Sequence, residues 1–156
     1  MRRTIPNIEF IKGLPNMNEL LDPAVRNLIV IDDLMTDTLN SKEMTNLVTR
    51  GCHHRNTSLI HIQQNLFPKG KESRNISLNC HYICLFSNPR DRAQVNHLAR
   101  QMYPGHAKFL QEAYADACCA PHGYLFIDLK QETPESFRLR SNIFPDQVQY
   151  AYVKKG

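Results

Sequence analysis

The feature that most constrains the fold is a run of four aliphatic residues, Leu28 to Ile31, followed directly by two carboxylates, Asp32 and Asp33. An aliphatic run with no alternating polar residues is typical of a strand buried on both faces of a parallel sheet. In an open α/β sheet, ligands bind beyond the carboxyl ends of the strands. The run therefore predicts a buried strand that presents both carboxylates where a metal or a phosphate would bind. A solvated acidic turn after a hydrophobic strand gives the same pattern and stays open as an alternative.

Composition limits the class of protein. A chain of 156 residues with 42% hydrophobic content is long enough for one domain with its own core. No apolar run approaches the ~20 residues that span a membrane, and Met1-Arg2-Arg3 is not followed by a signal-peptide core. Five cysteines at irregular spacings indicate reduced thiols. We therefore expect an intracellular protein of the cytoplasm or nucleus. Its net charge of +4 permits contact with nucleic acid but does not predict it.

Strand and helix patterns alternate along the chain. Helical patterns begin at Asn40, a candidate cap whose helix buries Met44, Leu47 and Val48, and again at Asn88 and near Phe109. Further strands are predicted at Thr57–Ile62, Tyr82–Phe86, Gly123–Leu129 and Phe137–Ile143. This alternation predicts a parallel α/β sandwich over residues 1–144, with residues 145–156 as a C-terminal tail.

Four stretches carry a resemblance to a known family: NLIVIDDLM, the turn His53-His54-Arg55-Asn56, IHIQQNLFPKGKESRNISLNCHYICLFSNPRDRAQ and PHGYLFIDLK. Together they resemble the FtsK–HerA type genome-packaging ATPases of Polinton/Maverick elements and adintoviruses, which are relatives of the poxvirus packaging ATPases. The resemblance extends from about Pro6 to about Phe144. It implies a RecA-like P-loop NTPase sandwich with a mostly parallel sheet. It also implies a homo-oligomeric ring that uses ATP and Mg²⁺ to move double-stranded DNA into a capsid.

The resemblance assigns roles to individual residues. Asp32 would be the Walker B carboxylate that holds Mg²⁺, and Asp33 would polarise the attacking water. Gln64, after the second strand, resembles the amide that senses the γ-phosphate, with Gln63 as the alternative. From the residues alone, the preferred interpretation of Gln64 is an amide that closes a strand-to-loop hydrogen bond; the resemblance reverses that preference. Arg55 is the preferred arginine finger for a neighbouring subunit; the sequence leaves three others open, namely Arg50, Arg90 and Arg92.

The chain departs from the family at the phosphate-binding loop. No GxxxxGK[ST] stands anywhere in the 156 residues, and Gly70-Lys71 is followed by Glu72 where a serine or threonine is required. The RecA-like sheet is therefore expected to lack its Walker A strand and loop. We expect the C-terminal part of a motor, from a truncated or decayed gene, that is inactive on its own.

Two alternatives from other classes remain. One is a non-catalytic remnant that binds a partner or full-length motor subunits. The other is a metal- or nucleic-acid-binding module built on Cys80, His81 and Cys84, with Cys52 to His54 upstream. Zinc ligands are usually presented on tight turns, whereas Cys80 and Cys84 fall on a predicted strand, so we expect no metal cluster. We also expect no membrane partner.

Overall fold

The computed structural model of the chain describes residues 8–14, 16, 22, 24–32, 41–51, 56–69 and 72–155. The chain divides into two compact units, Met1–Asn79 and Cys80–Gly156. None of the helices in the described ranges has the length and apolarity to cross a membrane. The first unit contains β1 (Asn27–Asp32), α1 (Lys42–Asn46) with a π-helical turn (Leu47–Gly51), β2 (Thr57–Ile62) and α2 (Ser73–Leu78). The second contains β3 (Tyr82–Phe86), α3 (Ala93–Met102), α4 (Ala107–Ala117), β4 (Tyr124–Asp128), a 3-10 turn (Glu135–Phe137), β5 (Leu139–Ser141) and β6 (Tyr150–Tyr152).

In the first unit, β1 and β2 form a parallel pair in which Asn27 lies beside Thr57 and Asp32 beside Ile62. Parallel pairing follows from the connection, because one helical crossover returns the chain to the end of the sheet where β1 began. The crossover helix α1 begins after Ser41, whose Oγ accepts a 3.1 Å hydrogen bond from the backbone N–H of Met44. Ser41 is thus the cap; the predicted cap, Asn40, lies outside the described residues.

The core of the first unit lies on one face of this pair. Met44, Leu47 and Val48 are buried, which confirms the predicted stripe, and they pack with Ile31 and Ile76.

The other face of the pair is exposed. Its apolar side chains are between 49% and 63% exposed: Leu28, Val30, Ile60 and Ile62. The prediction that β1 is buried on both faces is therefore wrong. Helices α1 and α2 place their buried residues against one face only, so exposure alternates along the aliphatic run.

The second unit is a four-stranded antiparallel sheet in the order β3-β4-β5-β6. Helices α3 and α4 separate β3 from β4 and form a hairpin around Gly105, whose φ is 79°. Two successive helices bring the chain back to the end at which β3 finished, so β4 runs antiparallel to it. Buried residues from both layers form the core: Leu85, Val95, Leu98, Leu110, Leu125, Ile127 and Leu139.

The predicted mixture of strands and helices is correct, but the predicted sheet type is not. A mostly parallel sheet was expected, whereas the described strands form one parallel pair and three antiparallel pairs. The physical reason is the connections. A helical hairpin joins β3 to β4, and short segments without a crossover helix join β4, β5 and β6. Strand β6 lies in the segment that was predicted as a tail.

Candidate functional site

The candidate site lies at the carboxyl-terminal edge of the β1–β2 pair. Asp32 is the last residue of β1 and is exposed, and its register partner on β2 is Ile62. Gln63 and Gln64 follow Ile62 directly and are also exposed. Neighbouring strands are ~4.8 Å apart, so the backbone brings the carboxylate and the two amides to the same edge of the sheet. The structure thus places three of the predicted site residues at the same edge of the sheet.

The two glutamines have different surroundings. The Gln63 Nε2 atom lies 2.9 Å from Nδ1 of His61, a residue of β2 whose pKa is lowered by burial. Within the described residues, the Gln64 side chain has no hydrogen-bond partner. The turn after β2 is closed instead by Asn65, whose Oδ1 accepts a 3.0 Å bond from the N–H of Phe67. Among the described residues, the side-chain bond in this turn therefore comes from Asn65.

The remaining predicted residues are not brought into this site by the described structure. Asp33 and Arg55 lie outside the described residues. Arg50 belongs to the π-helical turn, where only its backbone is described. Arg90 and Arg92 are exposed residues of the second unit, and Arg92 directly precedes α3 without a side-chain cap bond. The choice among the four arginines therefore stays a prediction.

The ligand types at the edge suit magnesium, but their number does not. Mg²⁺ prefers six oxygen ligands, usually one or two carboxylates together with substrate phosphates and water. The described edge offers the Asp32 carboxylate and two amide oxygens. Across the described ranges, no three His, Cys, Asp or Glu side chains come together as a metal site. The described residues do not fit a site that holds Mg²⁺ by itself.

The cysteine cluster proposed as an alternative metal module has neutral thiols. Burial raises the pKa of Cys80, and burial with the nearby Cys118 raises that of Cys84 to about 11. Zinc binds the thiolate, so a raised pKa opposes coordination. The four described cysteines are free: Cys80, Cys84, Cys118 and Cys119. The upstream ligands of that hypothesis, Cys52 to His54, lie outside the described residues.

An ion pair between a buried aspartate and a half-buried arginine in the second unit was not predicted from the sequence. Asp128 ends β4 and is 5% exposed, and its Oδ2 accepts a 3.0 Å bond from Nη2 of Arg140 on β5. Its Oδ1 accepts a bond from the N–H of Lys130, and its carbonyl accepts one from Arg138. The only sequence signal was a second apolar run that ends in an aspartate. These contacts assign Asp128 a structural role.

Comparison with known proteins adds no family. No family model, curated protein or solved structure matches this chain. The positions of Asp32, Gln63 and Gln64 and the residues that carry the resemblance are the features that bear on function.

Proposed function

We propose that this chain is the Walker B-bearing, C-terminal part of an ATP-driven DNA-packaging motor of the FtsK–HerA type, which in its complete form has a RecA-like sheet. One observation supports the proposal above the others. Asp32 ends one strand, Gln64 follows the neighbouring strand, and the two strands are parallel and in register. Parallel neighbours direct their carboxyl ends to the same ligand crevice, which is where phosphoryl transfer needs an acid and a water-orienting amide.

In the complete motor each residue would have a separate role. Asp32 would supply a carboxylate toward Mg²⁺ bound with ATP, Asp33 would polarise the water, and Gln64 would orient it. Arg55 reaches the phosphates of a neighbouring subunit in a homo-oligomeric ring around double-stranded DNA. Mg²⁺ supplies charge neutralisation at the phosphates when it is bound with ATP.

The 156-residue chain alone should not turn over ATP. Phosphoryl transfer depends on positioning and charge stabilisation, and the chain contains no GxxxxGK[ST] to cradle the phosphates. Purified chain and its Asp32→Ala variant should give the same background phosphate release with magnesium and ATP. The exposed Asp146 provides a matched control, Asp146→Ala. Magnesium-dependent hydrolysis that disappears only in Asp32→Ala would contradict this expectation.

The proposal itself is tested by restoring the missing element. The chain is fused to an upstream segment that carries a strand and GxxxxGK[ST], and nucleotide binding and turnover are measured. Gln64→Ala and Asp33→Asn should each reduce turnover by roughly 100-fold or more while nucleotide binding is retained. Asp32→Ala should also weaken magnesium-dependent binding, and Gln63→Ala should have the smallest effect on turnover. Equal effects of Gln63→Ala and Gln64→Ala, or no turnover in the fusion, would refute the proposal.

A second candidate function is a non-catalytic chain that binds full-length motor subunits. It is supported by the exposed apolar face of the β1–β2 pair, which includes Ile60 and Ile62. Monomeric proteins rarely leave contiguous apolar patches open, and parallel sheets are normally covered on both faces. Adding the chain to an active motor should then inhibit ATP hydrolysis. Ile60→Lys should remove the inhibition, whereas Asp32→Ala should leave it unchanged.

A further inference from the structure

Strand β3 forms one edge of the antiparallel sheet in the second unit. Among the described residues, β3 pairs only with β4. The N–H of Leu129 donates to the carbonyl of His81 at 2.8 Å, which fixes the alternation of the antiparallel ladder. It follows that the backbone N–H and C=O groups of Tyr82, Cys84 and Phe86 point away from β4. The edge thus presents a row of backbone donors and acceptors that a further strand could use.

At one end of this edge, the Tyr114 side chain contacts the backbone but does not prevent pairing with another strand. The Tyr114 hydroxyl donates to the Phe86 carbonyl at 3.0 Å and accepts from the N–H of Asn88 at 3.1 Å. A carbonyl oxygen has two lone pairs, so the Phe86 carbonyl can accept a second bond. The Tyr114 hydroxyl therefore lies at the last residue of β3 and leaves the Phe86 carbonyl able to pair.

The residues of β3 offer no protection against pairing with another chain. Native sheet edges are blunted by short length, lysine, proline or a bulge. The opposite edge, β6, is three residues long and is followed closely by Lys154 and Lys155. Strand β3 is five residues long, reads YICLF, and has no charge, proline or glycine. The two edges of one sheet therefore differ, and β3 is the unprotected one.

The side chains beside the edge form an open aromatic face. Tyr82 is 47% exposed and Phe86 is 61% exposed, and their rings lie 5.2 Å from Phe126 and 5.9 Å from Tyr124. A strand added antiparallel to β3 would place further aromatic rings next to these, a favourable cross-strand pairing.

The two cations that lie over rings of this face, Lys130 over Tyr82 and Arg140 over Phe126, are both in ion pairs. Arg140 contacts Asp128 at 3.0 Å, and Lys130 contacts Glu132 at 3.3 Å. The face therefore neither repels a copy of itself nor attracts a polyanion strongly. This electrostatic balance favours a second copy of the chain over nucleic acid as the occupant.

We propose that the chain self-associates through its second unit, by antiparallel pairing of β3 with β3 of a second copy about a two-fold axis at Cys84. Cys84 then pairs with Cys84 of the other copy, and Tyr82 of each copy pairs with Phe86 of the other. A strand of five residues offers a small contact compared with the ~800 Å² per partner of a standard stable interface, so we expect a weak dimer. The pairing closes with two copies and does not depend on the proposed ATPase function.

Sedimentation velocity of the full chain from about 5 µM to about 500 µM tests the proposal, a range suited to a weak complex. A concentration-dependent shift from monomer to dimer is expected. Cys84→Lys sets like charges opposite each other at the axis and should raise the dissociation constant at least ~10-fold. Cys119→Lys, at another exposed cysteine of the same unit, should leave it unchanged. Monomer at every concentration, oligomers larger than a dimer, or equal effects of the two variants would overturn the proposal.

Cross-linking tests the register independently of the lysine variants. Residues opposite each other in a hydrogen-bonded antiparallel pair have Cα atoms ~5.5 Å apart, within the range of a disulfide. A variant that keeps Cys84 and has serine at the other four cysteines should form a covalent dimer with copper phenanthroline. Oxidation is run at about pH 9, because the Cys84 pKa of about 11 leaves little thiolate at neutral pH.

A matched variant that keeps only Cys119 should stay monomeric on gels. No covalent dimer through Cys84, at concentrations where sedimentation shows dimer, would overturn the register. Slowed exchange of the Cys84 amide on adding a single-stranded oligonucleotide, with no effect of protein concentration, would assign the edge to nucleic acid and overturn the dimer.

Discussion

Asp32 and Asp128 each end a strand of largely apolar residues, but their surroundings give them different roles. Asp32 is exposed at the end of a parallel pair, beside two amides. Asp128 is buried and bonds to Arg140 and to the N–H of Lys130. An exposed carboxylate is available to a ligand, whereas a buried one needs a fixed partner. The difference lies in the neighbouring strands and not in the local sequence.

Removing the partner of Asp128 should destabilise the second unit. Arg140→Ala leaves a buried carboxylate without its cation, which typically costs ~3–5 kcal/mol, and the remaining hydrogen bond from Lys130 should hold the loss to about 2–4 kcal/mol. Urea unfolding measures the change. Lys108→Ala is the control, because its pair with Glu112 is 84% and 67% exposed and should contribute less than ~0.5 kcal/mol. Equal losses in both variants would contradict the structural role of this pair.

The stability of the first unit should fall as the pH drops below about 6.5, the ordinary histidine pKa. Burial lowers the pKa of His61 in the folded chain, so the unfolded state binds its proton more readily. The His61 contribution is therefore constant above the unfolded pKa and turns against folding as the pH falls through it. In the parent chain, the urea midpoint should be lower at about pH 5.5 than at about pH 7.5. In His61→Gln, the difference between the two midpoints should be smaller. His122→Gln, an exposed site, should keep the parent's difference; an unchanged difference in His61→Gln would refute the prediction.

At the level of strands and helices, local patterns predicted the elements but not their neighbours. Strands β1 to β4 and the buried stripe of α1 follow from runs and periodicity. The direction of β4 relative to β3 depends on whether one helix or two connect them. In the sequence, the only sign that there are two helices, α3 and α4, is the break at Gly105. Exposure of Val30 depends on whether a second helical layer covers the sheet, which the run itself does not encode.

The candidate site could likewise be predicted only in part from the sequence. Because consecutive parallel strands end at the same edge, the placement of Asp32 and Gln64 at one edge of the sheet could be predicted once both strands were located. The pairing of Asp128 with Arg140 could not, because it depends on the register of β4 against β5. That register is set by a connecting segment without a repeating pattern.

Amide exchange along β2 should alternate. The N–H of Asn27 donates to the carbonyl of Asn56, so the register directs the amides of Ser58, Ile60 and Ile62 toward β1. The amides of Leu59 and His61 point to the edge that no described strand covers. These two should exchange faster than those of Ile60 and Ile62 in hydrogen-exchange NMR.

An upstream segment that supplies a strand at this edge should slow Leu59 and His61 specifically. Amides already bonded to β1, such as that of Ile60, provide the internal control. Uniform protection along β2 in the unsupplemented chain would show that its edge is already paired.

Across the whole molecule, the two units differ in how much of their surface they bury. The second unit has four hydrogen-bonded strands and two helices of ten and eleven residues. Leu110, Leu125, Ile127 and Leu139 are fully buried there. The described part of the first unit has one pair of strands, and Met44 is its one fully buried large side chain. Since an isolated strand pair is marginal in water, the units should differ in stability.

The fragment Cys80–Gly156 should therefore fold alone, whereas Met1–Asn79 should not. Both fragments are near the size at which a single core rarely supplies more than ~3–5 kcal/mol, so the outcome depends on how well the core is filled. Residues 80–156 should give dispersed amide NMR signals and a sigmoidal urea transition, because helices and sheet enclose one core. Residues 1–79 should give poorly dispersed signals and a gradual transition, because the apolar face with Val30 and Ile60 stays in water. Adding an upstream segment that supplies a strand at the edge of β2 should make the transition more cooperative, because it extends the sheet beyond an isolated pair. A cooperative transition of residues 1–79 alone, at a midpoint equal to that of residues 80–156, would show that the exposed face costs the first unit nothing.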